Sequence, residues 1–269
     1  MTAVALRIAH VSVQRGAIEA VRELSLDVPR GSWVALIGAN GAGKSTVLAA
    51  IAGLIPYTGS IAIGGDDLMR LSRGERARRV ALVPQLPVTP PLVTVADYVL
   101  LGRTPHLAAF RREGPEDLAI VADVLDRLDL AGFASRHLTT LSGGERQRAV
   151  IARAVAQGAG LLLLDEPTSA LDVGHQQDVL DLVARMRDES GLTVVSAMHD
   201  LTLAGLYADR LVLLASGRTI ASGLPAEVLT ETMIAEHYGA TVRVISSPDG
   251  TTAVIPTRSP RAAVIRRGA

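Results

Sequence analysis

The stretch GANGAGKST, residues 38–46, decides the fold. It contains the pattern G-x-x-x-x-G-K-[S/T], and it follows the apolar run WVALI, residues 33–37, and precedes a helix expected from Lys44 to about residue 52. Glycines in such a turn let backbone N–H groups point inward around phosphate oxygens, and the positive end of the following helix faces the same anion. The stretch therefore predicts a phosphate-binding loop in an α/β protein.

The side chains of this loop have separate expected tasks. Lys44 is the only lysine among 27 basic residues. We expect its compact ammonium group to reach the β- and γ-phosphates, where a planar guanidinium does not fit. Ser45 is expected to bind Mg²⁺, and Thr46 the α- and β-phosphates. The nucleotide-binding residues predicted from the loop are Gly38, Asn40, Gly41, Gly43, Lys44, Ser45 and Thr46.

Composition excludes several other classes of protein. The chain has 269 residues with a net charge of zero and no cysteine, so nothing favours a nucleic-acid partner, a polybasic membrane contact or a thiolate metal site. The first residues do not resemble a signal peptide, and no apolar run is long enough to span a bilayer. With one lysine, the chain also lacks the N-K-x-D motif with which Ras-type GTPases bind guanine, and the separate strand lysine of protein kinases.

Apolar runs alternate with helical patterns along the chain. This alternation predicts a parallel sheet with helices on its faces. In the helix expected over residues 116–130, Leu118, Val121, Ala122, Leu125 and Leu128 are predicted to share one buried face. A hairpin is expected near the C-terminal end, through VRVI and TAVI. The predicted strands cover residues 4–13, 23–28, 33–37, 60–63, 80–83, 161–164, 193–198 and 211–215.

Two acidic residues follow the apolar run LLLL, residues 161–164. A buried strand carries Asp165 and Glu166 to the carboxyl edge of the sheet, beside the phosphate-binding loop. We expect Asp165 to bind Mg²⁺ and Glu166 to act as the general base toward water.

The stretch LSGGERQR, residues 141–148, predicts a second anion site. Ser142 is placed to cap a helix, and Gly143 and Gly144 expose the N–H groups of its first turn. Since one nucleotide has no use for two such sites in a single chain, we expect a head-to-tail dimer in which each chain offers its second site to the other's nucleotide.

Together these motifs resemble the ATP-binding subunit of an ABC transporter over residues 4–256. The matching pieces are the Walker A loop (38–46), Gln85 in VPQ, the signature LSGGE (141–145), Walker B (161–166), SALD (169–172) and His199 in MHD. By this resemblance Gln85 senses the γ-phosphate and Mg²⁺ and touches the membrane partner. Asp172 bridges the two subunits, His199 contacts the γ-phosphate and holds the attacking water, and residues 142–145, including Glu145, bind the opposing nucleotide.

The resemblance also implies a domain organisation. We expect a P-loop NTPase (RecA-like) sheet with an inserted α-helical subdomain and an antiparallel β edge, all within one ABC ATPase domain over residues 1–256. The sheet lobe is expected at about 1–86 and 155–235, the helical subdomain at about 87–154, and a small extension at 236–256. Residues 257–269 are expected to form a flexible basic tail.

One position departs from the family pattern. An aromatic residue usually stacks on adenine near the end of the first strand, and here that position is Arg15. A guanidinium plane can stack on a base, so we predict that Arg15 covers adenine. The alternative is a solvated Arg15 with adenine held by other contacts. His10, His106, His137, His175 and His237 lack metal-ligand spacing and are expected to be structural.

The segment DYVLLGRTPHL, residues 97–107, and the C-terminal EHYGATVRVI resemble importers of ferric siderophores, haem and cobalamin. The resemblance implies ATP and Mg²⁺ as cofactors and a homodimer on two transmembrane permease subunits. It further implies an extracytoplasmic binding protein that acts indirectly, and a peripheral location on the cytoplasmic face of the inner membrane. An exporter subunit, a member of another import family and a soluble ABC ATPase are the alternatives.

Overall fold

The computed structural model describes residues 3–107, 112–169, 171–247 and 251–258. The strands are β1 (Val4–Arg15), β2 (Ile18–Pro29), β3 (Trp33–Ile37), β4 (Thr58–Ile63), β5 (Asp66–Asp67), β6 (Val80–Val83), β7 (Leu161–Asp165), β8 (Thr193–Ala197), β9 (Arg210–Ala215), β10 (Arg218–Gly223), β11 (Val242–Ser246) and β12 (Thr252–Pro256). The α-helices are α1 (Lys44–Ile51), α2 (Arg73–Arg79), α3 (Val95–Leu100), α4 (Pro115–Arg127), α5 (Gly143–Ala156), α6 (Val173–Ser190), α7 (Leu201–Tyr207), α8 (Pro225–Val228) and α9 (Glu231–Tyr238).

A six-stranded sheet in the order β10-β9-β3-β8-β7-β6 forms the centre of the molecule. Its strands from β9 to β6 run parallel, and β10 pairs antiparallel to β9 at one edge. Every residue of β3 and β8 is buried, as expected of parallel strands that are covered on both faces. This arrangement confirms the predicted α/β fold with a parallel sheet of the P-loop NTPase type.

The antiparallel part is a second sheet in the order β2-β1-β4-β5. β1 and β2 form a long hairpin that closes with the pair Arg15 and Ile18, around a turn in which Gly16 has a φ of 61°. The helix α1 packs between the two sheets, and Val47, Leu48 and Ile51 are buried there. The hairpin end therefore lies beside the start of α1.

Helices α3, α4 and α5 lie between β6 and β7 in the chain and pack on one another through Tyr98, Leu125 and Leu128. The predicted face of α4 is partly wrong. Val121, Leu125 and Leu128 are buried as predicted, but Leu118 is 54% exposed and Ala122 is also exposed. Val124, which was not predicted on this face, is buried in the core. The buried apolar stripe of α4 therefore begins at Val121 and continues toward the end of the helix.

The residues after β10 form helices and the predicted hairpin of β11 and β12. β12 is joined to α7 because the Thr202 hydroxyl donates to Val254 O and accepts from Val254 N. Except for Thr257 and Arg258, the expected basic tail lies outside the described residues. Within the described ranges, no helix is both long and apolar enough to cross a bilayer. The division into a sheet lobe, a helical subdomain and an extension stays a prediction.

Candidate nucleotide site

The loop between β3 and α1 turns through two glycines that no other residue could replace. A Cβ on Gly38 would lie 2.3 Å from Leu214 O, and one on Gly43 would lie 2.6 Å from Ala20 O. Both residues also have positive φ angles, of 149° and 107°, which side-chain-bearing residues rarely adopt. The close approach of β9 and β2 therefore fixes this turn, and the turn places α1 with its N-terminal end at the loop.

Lys44 lies inside the loop rather than on its surface. The residue is 5% exposed. Its Nζ donates to Gly38 O at 2.6 Å and to Ala39 O at 3.2 Å. Burial lowers the pKa of Lys44, against the opposing effect of Glu166 and Asp165. The ammonium group is thus held by the loop's own carbonyls and is poorly solvated, so an anion nearby would stabilise it.

Ser45 and Asp165 meet across the cleft between α1 and β7. The Ser45 hydroxyl donates to Asp165 Oδ1 at 2.8 Å. Burial raises the pKa of Asp165, although the hydrogen bond from Ser45 opposes that shift. A partly desolvated carboxylate next to a hydroxyl gives two hard oxygen donors, which suits a small divalent cation.

Glu166 has both carboxylate oxygens engaged. Gln85 Nε2 donates to Oε2 at 2.5 Å, and His199 Nε2 makes a hydrogen bond with Oε1. The side chain is 10% exposed, and its backbone has a φ of 50° with its N–H donating to Ala197 O at 3.1 Å. A non-glycine residue held in the left-handed region is strained, and such strain concentrates at functional sites.

A cleft of about 540 Å³ gathers most of the residues predicted to bind nucleotide. Ile18, Ala20 and Ala42 also line it, and the sequence analysis did not single them out. The sequence pattern does not mark Ile18, whose 69% exposure and pairing with Arg15 emerge only in the structure. The predicted residues on this cleft are Arg15, Asn40, Gly41, Gly43, Lys44, Ser45, Thr46, Gln85, Glu166 and His199.

The signature segment does not line that cleft. Ser142 caps α5 in a capping box, since its hydroxyl accepts from Glu145 N at 3.3 Å and its own N–H donates to Glu145 Oε2 at 2.7 Å. The hydrogen bond from the Ser142 backbone lowers the pKa of Glu145. Gly143 and Gly144 begin the helix, where N–H groups have no intrahelical acceptor. Gly143 lines a neighbouring cleft of about 250 Å³ that shares Gln85 and Glu166 with the first.

Asp172 is also outside both clefts. It caps α6, where its Oδ1 accepts from the backbone N–H of His175 at 3.0 Å. Ala170 of the SALD segment lies outside the described residues. The structure therefore brings together the loop, Asp165, Glu166, Gln85 and His199, whereas residues 142–145 and Asp172 do not line the nucleotide cleft. No cluster of three potential metal-binding side chains occurs in the part of the chain that the structure describes.

Comparison with protein families decides the identity. A family model described as "ABC transporter" matches residues 21–169, which is more than half of the chain. The chain belongs to the ABC transporter family. The ATP-binding subunits of ABC transporters bind nucleotide and are ATPases coupled to transport, and this chain is one of them.

Relatives of this ABC ATPase cover nearly its whole length. The hemin import ATP-binding protein HmuV of Rhodococcus jostii (strain RHA1) is 42% identical over 261 residues, which are 96% of this chain and 88% of that protein. The ferric enterobactin transport ATP-binding protein FepC of Escherichia coli (strain K12) is 37% identical over 253 residues, 93% of each chain. Among solved structures, a metal-chelate type ABC transporter in an inward-facing conformation matches with a TM-score of 0.82 and 29% identity, covering 95% of this chain and 98% of that chain.

Proposed function

We propose that this ABC ATPase energises the uptake of a metal chelate, either a ferric siderophore or a related large chelate such as haem or cobalamin. One observation carries the ATPase part of the proposal: the phosphate-binding loop and the hydrogen-bonded group of Glu166, Gln85 and His199 line one cleft, and Asp165 accepts a hydrogen bond from Ser45 of that loop. The cargo class rests on similarity to a hemin importer subunit, a ferric enterobactin transport subunit and a metal-chelate transporter.

In the proposed reaction, Glu166 is the general base that activates water for attack on the γ-phosphate. His199 holds that water and contacts the γ-phosphate, while Lys44 neutralises charge on the β- and γ-phosphates. Gln85 senses the γ-phosphate and connects the cleft to the membrane partner. Phosphoryl transfer of this kind depends on positioning and charge stabilisation rather than on covalent chemistry.

The residues present fit Mg²⁺, which the family implies. Ser45 Oγ, the Asp165 carboxylate and the Gln85 amide oxygen would hold it, because Mg²⁺ prefers hard oxygen donors and is usually bound by one or two carboxylates together with phosphates. When bound, the ion supplies charge neutralisation at the β- and γ-phosphates. The raised pKa of Asp165, caused by burial, supports this assignment because a cation would favour its ionised form.

The adenine base of the nucleotide would rest on the end of the β1–β2 hairpin. Arg15 and Ile18 are paired there and both line the cleft, so a guanidinium plane and an apolar side chain take the place of the usual aromatic ring. We expect adenine to be held by Arg15 and Ile18 together.

The position of residues 142–145 and Asp172 outside the nucleotide cleft of their own chain supports a head-to-tail homodimer. In it, the N–H groups of Gly143 and Gly144 and the Ser142 hydroxyl face the γ-phosphate bound to the other chain, and Asp172 bridges the subunits. The dimer works beneath two transmembrane permease subunits at the cytoplasmic face of the inner membrane. The extracytoplasmic binding protein acts only through those permeases, and no nucleic acid takes part.

Glu166→Gln tests the chemistry. The change removes the base but keeps an amide that Gln85 and His199 can still contact, so MgATP binding should persist while turnover falls about 10²–10⁴-fold. Steady-state phosphate release and nucleotide titration measure the two quantities. Glu113→Gln, at an exposed position, is the matched control, and near-normal turnover in the Glu166 variant would show that another group is the base.

Uptake in cells tests the cargo. Labelled ferric siderophore, haem and cobalamin are supplied to cells that carry either the wild-type chain or Lys44→Ala, expressed at equal levels. Loss of one uptake in the variant identifies the cargo and links its import to ATP use at this loop. If all three uptakes are equal in both strains, the importer assignment is wrong although the ATPase assignment stands.

A further inference from the structure

The imidazole of His175 lies between two segments that we have proposed to face the partner chain. Its Nδ1 is 2.7 Å from Asp172 Oδ1, the same oxygen that accepts from the His175 backbone N–H. A Cβ placed on Gly144 would lie 2.5 Å from His175 Cδ2 and 3.2 Å from Nε2. The ring therefore bridges the N-terminal cap of α6 and the first turn of α5.

Asp172 fixes the orientation of the ring. The backbone and side-chain hydrogen bonds from His175 lower the pKa of Asp172, so its carboxylate is ionised and can only accept. Nδ1 must then carry the proton. The other edge of the ring, Cδ2 and Nε2, is the edge that lies against Gly144, and a histidine in this tautomer has a defined contact on each side.

A second contact joins the same two segments. A Cβ on Gly143 would lie 3.7 Å from Leu171 Cδ2, which is ordinary packing distance. Both signature glycines thus lie against side chains of the segment around Asp172. Gly144 in particular has no room for a side chain because of His175, and this constraint exists within one chain, before any partner is considered.

We infer that His175 is a positioning residue. It holds the Asp172 carboxylate and the Gly144 N–H group at a fixed position relative to each other, so that both contact the partner chain together. The inference rests on the head-to-tail dimer proposed above and goes beyond it, since His175 lines neither cleft. Its role is to fix the geometry of two contacting groups rather than to touch the nucleotide. This departs from the expectation that the histidine is merely structural.

The effect of His175 on the dimer dissociation constant of the full chain, with MgATP bound, tests this role. The parent is Glu166→Gln, in which MgATP is bound but not hydrolysed, and the dimer dissociation constant is obtained by sedimentation with and without MgATP. Adding His175→Ala should weaken the dimer at least tenfold. The MgATP affinity of the monomer and the thermal midpoint should not change, because His175 lines neither cleft and its side chain is 45% exposed.

Two further variants separate the hydrogen bond from the packing. His175→Asn places an amide donor where Nδ1 stood, so it should restore most of the dimer affinity. Gly144→Ala should lower the thermal midpoint, because its new methyl group would collide with the His175 ring. Adding His175→Ala removes the ring and should restore the midpoint, so the effects of the two substitutions on stability should be non-additive. His137→Ala, at an exposed histidine, is the control for removal of an imidazole.

The outcomes are distinguishable. If the parent dimerises with MgATP and His175→Ala dimerises equally well, the role of His175 is overturned and the dimer stands. If His175→Ala loses thermal stability and monomer affinity in parallel with dimerisation, the residue is structural and the inference is also overturned. A parent that remains monomeric with MgATP would overturn the dimer itself, and the role of His175 with it.

Discussion

At the scale of single residues, Lys44 is held by geometry as much as by charge. Its side chain is buried in a turn whose carbonyls accept from Nζ at 2.6 and 3.2 Å. A guanidinium group is planar and wider, and it cannot make these two contacts while reaching a phosphate. The chain uses arginine at all its other basic positions, so the exception is explained by the space inside the loop.

We therefore predict that Lys44→Arg loses MgATP affinity although the charge is kept. The loss should be about 10–100-fold, the value of a charged hydrogen bond of roughly 1.5–3 kcal/mol. Titration with a fluorescent ATP analogue measures it. Arg70→Lys, the reverse exchange at a side chain that is 87% exposed, should bind normally, and unchanged binding by Lys44→Arg would contradict the steric account.

Residue types at fixed spacing made much of this site predictable. The loop, Asp165, Glu166, Gln85 and His199 were assigned from the sequence. The structure brings the loop, Glu166, Gln85 and His199 to one cleft and joins Asp165 to Ser45 of the loop, although their roles stay predictions. The left-handed backbone of Glu166 was not predictable, because strain at a non-glycine residue leaves no mark in the pattern of residue types. The pairing of Ile18 with Arg15 was missed because it depends on the register of a hairpin.

At the scale of elements, the segment GRTPH, residues 102–106, packs against the end of the signature helix α5. Arg103 is 7% exposed; its Nη1 donates to Ala156 O at 2.9 Å and its Nε to Asp117 Oδ1 at 2.9 Å. His106 Nε2 lies 2.8 Å from Gln157 O, and a Cβ on Gly102 would lie 2.2 Å from a carbonyl of α5. This segment resembles one transporter group in sequence, and its contacts in the structure hold α5 in place.

Gln157 continues this attachment to the sheet. Its Nε2 donates to Ala77 O and to Val80 O, the latter at 2.7 Å, and so connects the end of α5 to the beginning of β6. We predict that Gln157→Leu destabilises the protein by about 1–3 kcal/mol, because two partly buried carbonyls lose their donor.

The fluorescence of the single tryptophan, Trp33, which is fully buried, reports the urea unfolding needed to measure this loss. Gln14→Leu replaces an exposed glutamine in β1 and should leave the midpoint unchanged. A Gln157 variant as stable as the wild type would mean that water satisfies both carbonyls.

Strands were easier to predict than helix faces. The apolar runs that became β3, β7 and β8 are buried on both sides, so any register gives the same assignment. α4 buries apolar side chains only from Val121 onward, and periodicity alone cannot say where along a helix burial begins. That is why Leu118 and Ala122 were placed in the core, although they are exposed.

At the scale of the whole molecule, each chain of the proposed dimer contributes to two nucleotide sites. It supplies the phosphate-binding loop and the base to one site and the signature segment to the other. If the proposed dimer is correct, two inactive variants should restore activity when mixed. Glu166→Gln lacks the base but has an intact signature, whereas Ser142→Arg blocks the signature but keeps the base. Their heterodimer contains one complete site, and random pairing predicts about a quarter of wild-type turnover in an equimolar mixture.

The mixture is prepared before MgATP is added, and phosphate release is compared with each variant alone at the same total concentration. Each variant alone should be nearly inactive. A mixture no more active than its components would mean that each chain completes its own site, which would contradict the head-to-tail arrangement.

The engagement of Glu166 by Gln85 and His199 has a consequence for the energy economy of a cell. Both carboxylate oxygens of the proposed base accept a hydrogen bond in the single chain, and each bond uses one of the lone pairs with which the carboxylate would take a proton from water. Because the proposed site also needs the signature segment of a second chain, an unpaired chain would hold ATP without hydrolysing it. A cell could then keep a reserve of these subunits ready for assembly with no continuous drain on its ATP supply.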